Sequence, residues 1–181
     1  MRLFEGKWPL FLALTCSFAL VYAVNNALTA FLHLVPGAHL VHLPSGIKLV
    51  MVLVFEGIGA ASIGLVSVLA GYFFFFPDQV GVSAALALVN ALAPWLTLKL
   101  VAGGDRDAWI ALLTPQKFIA TGLVFAGLNS ALNQLVIYWS GLTHDIVSGL
   151  GVMFVGDITG VYITLALLKG LSYLVVSRRR P

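Results

Sequence analysis

The chain has 181 residues, of which 60% are hydrophobic and 9% charged, and its formal net charge is +3. So low a charged fraction, against roughly 25% in soluble domains, excludes water as the main solvent and leaves no length for a soluble catalytic domain. The basic residues lie between and beyond the apolar stretches rather than on one face, which excludes a nucleic-acid partner, and a single cysteine, Cys16, excludes an internal disulfide and reads as packing.

The predicted fold class is all-α: a polytopic integral membrane bundle of six transmembrane helices, forming a single membrane domain over residues 1–181. The first helix is predicted over 8–34. Arg2 and Lys7 before an apolar run, with Val21-Tyr22-Ala23 as a small-residue site, also resemble a secretory signal. The run continues unbroken from Trp8 to Leu34, too long for a signal core and long enough for a tilted span, so a retained helix is expected. Val35-Pro36-Gly37 ends it, and a histidine-bearing loop follows. From Ile47 to Phe76 the sequence is apolar apart from Lys48, Glu56 and the small residues that begin at Gly57-Ile58-Gly59. That stretch is either one very long helix or two short ones, 46–56 and 58–76. The remaining helices are predicted over 82–101, 118–142 and 146–176.

Charge decides between five spans and six, because short cytoplasmic loops carry an excess of Lys and Arg. Six spans place Arg2, Lys7, Lys99, Arg106, Lys117, Lys169 and Arg178-Arg179-Arg180 on one side, nine of the ten basic residues, and leave only Lys48 elsewhere. Five would put Arg178, Arg179 and Arg180 opposite Arg2 and Lys7. The expected protein therefore crosses a bacterial inner (plasma) membrane six times, with N and C termini cytoplasmic. Trp8, Tyr138 and Trp139 fall at helix ends as interfacial anchors.

Within the spans, amides and charges have no use on a lipid-facing surface. Tyr22, Asn26, Thr29 and His33 are spaced by four, three and four on the first helix, and Gly122, Ala126, Asn129 and Asn133 repeat that spacing on the fifth. Asn90 precedes Pro94 by four, so its carbonyl lacks a helical donor. These stripes line one pocket, or they are interhelical fasteners of about 0.6 kcal/mol each. Asp157, between Gly156 and Gly160, is the sharpest position, since a carboxylate there must be protonated, paired with a cation such as Lys48, or hydrated. The candidate ligand-binding set is Tyr22, Asn26, Thr29, Lys48, Asn90, Asn129, Asn133 and Asp157. Gly156 with Gly160, and Ala60, Gly64, Ser67 and Gly71, read as close-packing seams.

The outer side gathers His33, His39, His42, Asp78, His144 and Asp145, and His39 with His42 is a candidate metal pair or a pH-responsive one. No cofactor is indicated. Gly103-Gly104-Asp105 is like the signature of nucleotide cyclases but has no soluble domain to serve; no glycine-rich phosphate loop precedes a helix, and no serine or cysteine has a base placed beside it, so no enzyme is expected.

Leu43-Pro44-Ser45-Gly46-Ile47, the small-residue helix from Gly57 to Gly71, Asn90-Ala91-Leu92-Ala93-Pro94-Trp95-Leu96 and Phe154-Val155-Gly156-Asp157-Ile158-Thr159-Gly160 together resemble the membrane-associated sensor domain family, type one, over roughly residues 40 to 168. That resemblance implies a sensor-like module, here in stand-alone, truncated form, whose relatives precede kinase or cyclic-di-GMP domains. Size, six-helix topology and Asn26-Ala27-Leu28-Thr29-Ala30 also resemble the S components of energy-coupling factor transporters, which implies a vitamin or metal substrate under the loop between Pro36 and Gly46. The expected function is a sensor-like membrane module binding a small ligand or a membrane partner in an intramembrane polar pocket; the alternatives are a transporter subunit and an accessory subunit of a larger complex. Expected partners are the lipid bilayer, a membrane protein or a second copy of the chain, and a small-molecule ligand.

Overall fold

The computed structural model describes residues 6–29, 33–35, 38–103, 105, 107–108, 112 and 114–177; of 33–35, 38–39 and 172–177 only the backbone is described. Arg2, Arg106, Arg178, Arg179 and Arg180 lie outside the described residues. The elements are α1 (Trp8–Thr29), β1 (His33–Val35), β2 (Ala38–His39), α2 (Pro44–Ala70) continued by a π-helical turn (Gly71–Phe75), α3 (Val80–Ala102), α4 (Pro115–Trp139) and α5 (Ile146–Ser177). Among the described residues, five helical stretches are long and apolar enough to cross a membrane, the signature of a multi-pass membrane protein.

The chain's punctuation sets most of these boundaries. Pro44 and Pro115 occupy first-turn positions of α2 and α4, where the missing N–H costs nothing. Pro94 is accommodated inside α3. The α4 helix starts three residues before the expected 118 because Pro115 presets its first turn, and it stops at Trp139, before the expected 142, where Gly141 takes a φ of 71°. Three further expectations are corrected. The α1 helix ends at Thr29 rather than Leu34, and His33 and Val35 pair antiparallel with His39 and Ala38, so backbone groups leaving the helix find partners in a small ladder. The helix expected over 58–76 ends as α-helix at Ala70 and widens into the π turn, with the Phe76 N–H bonded to the Gly71 carbonyl at 2.7 Å. Cys16 is exposed on α1 rather than packed.

The largest event lies inside α2. At Glu56 the backbone leaves the helical region (φ 52°, ψ −127°). A Cβ on Gly59 would overlap the Met51 carbonyl, although residues eight apart in an unbroken helix stand about 12 Å from each other. The two arms of α2 therefore fold back beside one another, at the Glu56-Gly57 break expected from the sequence. Contacts with α1 follow the reversal: Tyr22 lies 6.1 Å from His42, before the first arm, and 6.2 Å from Phe75, after the second, between ring centroids, while the Ser62 hydroxyl, early in the second arm, reaches the Phe11 carbonyl at 3.4 Å.

The folded-back α2 occupies the centre and packs against α1, α3 and α5; α4 packs against α3 and α5. Phe18, Val52, Ile63 and Leu98 are buried where α1, α2 and α3 meet, and Leu49, Phe118, Phe125 and Val161 are buried between α2, α4 and α5. Leucine, valine and phenylalanine side chains such as Leu20, Phe74, Leu100 and Val147 face outward, as a bundle dissolved in hydrocarbon requires.

Candidate polar site within the bundle

The site is assembled where the start of α2 meets the middle of α5. Three contacts lock these elements together. The His42 N–H donates to the Gly156 carbonyl at 3.1 Å; a Cβ on Gly160 would collide with the His42 carbonyl, and one on Gly46 with Thr164. Glycine at 46 and 160 is thus required by approach, and that approach brings Ser45 onto Asp157.

Asp157 is fully buried. One carboxyl oxygen, Oδ1, accepts from the Ser45 hydroxyl, and the other, Oδ2, accepts from the Asn129 amide at 2.7 Å. His42 Nδ1 stands 3.7 Å from Oδ1, with the ring 18% exposed. Asn133, one turn beyond Asn129 on α4, donates to the Asn129 carbonyl at 2.9 Å and to its side-chain oxygen at 3.1 Å, so α4 presents an ordered amide ladder ending on the acid. The basic group nearby in the network is Lys48, 1% exposed, which donates to the Asn90 side-chain oxygen at 2.6 Å and makes no ion pair within 4 Å of Asp157. A buried ionisable group is costly unless it is hydrogen-bonded, and both carboxyl oxygens and the ammonium have hydrogen-bond partners.

In front of this network lies a cavity of about 50 Å³, whose lining includes Tyr22, His42, Ser67, Asn90, Asn129 and Asn133. By volume it holds about three water molecules. Ser67 presents there a buried hydroxyl without a hydrogen-bond partner, while Asn90 keeps its amide N–H groups and Asn133 its side-chain oxygen for a ligand. The surface thus offers donors and acceptors together. It can hold a small hydrogen-bonding molecule.

Of the eight candidate ligand residues, Tyr22, Asn90, Asn129 and Asn133 line this cavity, and Lys48 and Asp157 are buried behind it, bonded to Asn90 and Asn129 respectively. Asn26 and Thr29 do not join them. Asn26 lies half-buried in a separate apolar groove of about 410 Å³, with Thr15 and Ala19 on one side and Phe73 and Phe74 on the other. Thr29 is buried against Asn25, donating to its carbonyl at 2.7 Å. The amide that works on α1 is Asn25, whose side-chain oxygen accepts the Leu43 N–H at 2.9 Å and anchors the entry to α2. Its four-residue spacing from Thr29 was a signal equal to that of Asn26 with Tyr22. Ser45 and Ser67 carried weaker signals, since serine is unremarkable in a packing seam.

Of the candidate metal pair, the His39 side chain lies outside the described residues, as does that of His33, and His42 turns to Asp157. Asp145 is a helix cap, accepting the Ser148 N–H at 3.0 Å. Among the described residues, no cluster of three His, Cys, Asp or Glu side chains could hold a metal ion. No family model matches this chain, and no curated protein or solved structure matches it.

Proposed function

We propose that this chain is a sensor-like module of a bacterial inner membrane, crossing the bilayer six times with both termini cytoplasmic, that binds a small polar ligand in the cavity beside Asp157. The observation carrying this reading is the convergence of polar groups from α1, the α2 entry, α2, α3 and α4 on one cavity, with the Ser67 hydroxyl unpartnered. Ligand pockets for drug-sized molecules run to roughly 300 Å³ and more; a volume of about 50 Å³ favours a ligand of a few heavy atoms over a vitamin. The fold-back at Glu56 supports six crossings, because it returns the chain to the side from which α2 started. With that count Lys7, Lys99, Lys117 and Lys169 share one side, and Lys48 is sequestered in the bundle.

A membrane partner, or a second copy, is the second reading. It is favoured by α1, which packs chiefly on α2 and so has most of its surface uncovered by the rest of the bundle.

The ligand reading is tested by thermal unfolding of the full chain in mild detergent with low-molecular-weight polar fractions of its native cells. A fraction that raises the Tm of the wild type but not of Ser67→Ala or Asn133→Ala supports the pocket; no responsive fraction, or an equal response in both variants, retires it. Proteins that co-purify then separate the outputs. A kinase or cyclic-dinucleotide enzyme supports a sensor, whereas an ATPase pair with a coupling subunit replaces it with a transporter.

A further inference from the structure

At the end of the bundle remote from Asp157, a groove of about 360 Å³ is bounded by Val101 and Ala102 at the end of α3, by Leu112, and by Lys117 and Thr121 on α4. Two independent features of this groove lack the same thing. The first is electrostatic. Thr114 leads into α4 in extended conformation at φ −65° and ψ 140°, and the first turn of the helix has no acidic residue. A helix N-terminus carries about +0.5 of a charge, and the exposed Lys117 adds another of the same sign without an ion pair among the described residues. Such a turn favours an anion. Asp105 and Asp107 come earlier in the chain and do not line the groove; the Asp107 N–H is bonded to the Asp105 carboxylate at 2.9 Å. The second feature is polar. Thr121, 2% exposed, has a buried hydroxyl with no hydrogen-bond partner, and it lines the groove.

Lys117 and Thr121 are four residues apart and so share a face, about 5–6 Å from one another. We infer that this groove binds an anionic phospholipid, its phosphate at Lys117 and the α4 N-terminus, an ester carbonyl accepting from the Thr121 hydroxyl, and an acyl chain along Val101, Ala102 and Leu112. The glycerol backbone separates phosphate and ester carbonyl by a span of the same size. Among the described residues the other walls are apolar, a surface that a hydrated inorganic phosphate would not use.

Native mass spectrometry of the full chain, delipidated in mild detergent and titrated with phosphatidylglycerol or phosphatidylcholine of matched chains, tests the inference. The wild type should retain phosphatidylglycerol about fivefold better, the discrimination expected of one cationic contact. Lys117→Gln should erase the preference and Lys117→Arg keep it. Thr121→Val should weaken retention of both lipids alike without lowering the Tm in lipid-free detergent, since the lost hydroxyl has no protein partner. Equal retention by the wild type, a preference surviving Lys117→Gln, or displacement of the lipid by millimolar inorganic phosphate would overturn it. Neither residue touches the Asp157 cavity, so this result stands apart from the ligand reading.

Discussion

Asp157 and Lys48 are the two ionisable groups buried within one hydrogen-bonded network, and a mutual dependence between them is testable. Removing one member of a buried pair leaves an uncompensated group and costs about 3–5 kcal/mol, whereas replacing both with uncharged side chains is often close to neutral. Asp157→Asn and Lys48→Met should therefore each lower stability strongly, and the double variant should lose less than the sum by at least about 1 kcal/mol. Unfolding of the four proteins in one detergent measures this coupling; simple additivity would show that the two groups do not depend on each other. The polar positions of this site were largely legible, because Lys48, Asn90, Asn129, Asn133 and Asp157 each interrupt an apolar run. The choice between Asn25 and Asn26 was not. Adjacent helical residues point about 100° apart, and α1 touches the bundle along so narrow a line that periodicity alone could not place it.

At the scale of elements, the α2 reversal depends on a non-glycine residue at φ 52° and ψ −127°. Backbone strain of this kind costs on the order of 1–3 kcal/mol. Glu56→Gly should relieve it and raise the Tm by a few degrees in detergent, while a fall in Tm would mean that the Glu56 side chain contributes more than its backbone costs. The start of α5 carries a pH dependence. Hydrogen bonds from the Ser148 side chain and backbone hold the Asp145 carboxyl below its ordinary range. The cap therefore contributes above the ordinary carboxylate pKa and is lost as pH falls through the depressed folded value. The protection of the Ser148 amide, the ratio of its intrinsic to its observed exchange rate at the same pH, should fall on acidification through that window and should already be low in Asp145→Ala; protection that ignores both changes would remove the cap from the account. Helix existence was readable from apolar runs and prolines, but the strand pair and the π turn were not, since both answer to neighbours rather than to local composition. A Cβ on Gly71, for instance, would stand only 3.1 Å from the Ser83 side chain.

For the molecule as a whole, the number of crossings fixes the side on which every later loop lies. With the cysteine-free background Cys16→Ser and the N-terminus inside, six crossings put Gln79→Cys outside and Asp105→Cys inside, while five reverse both. Labelling of intact cells with a membrane-impermeant maleimide should modify position 79 and spare 105; the opposite pattern would establish an unbroken second span and end the six-crossing proposal.

Sequence alone determined that this is a multi-pass helical membrane protein and that Asp157 needs partners, because the cost of unpaired polar groups in hydrocarbon acts on every residue wherever it sits. Only the tertiary structure decided who those partners are. The glycine-permitted contact of the His42 to Gly46 segment with α5 puts Ser45 on Asp157, and the packing of five elements encloses a cavity of about 50 Å³. Both depend on distances between segments more than a hundred residues apart in the chain, Ser45 and Asp157 among them, which no local pattern encodes.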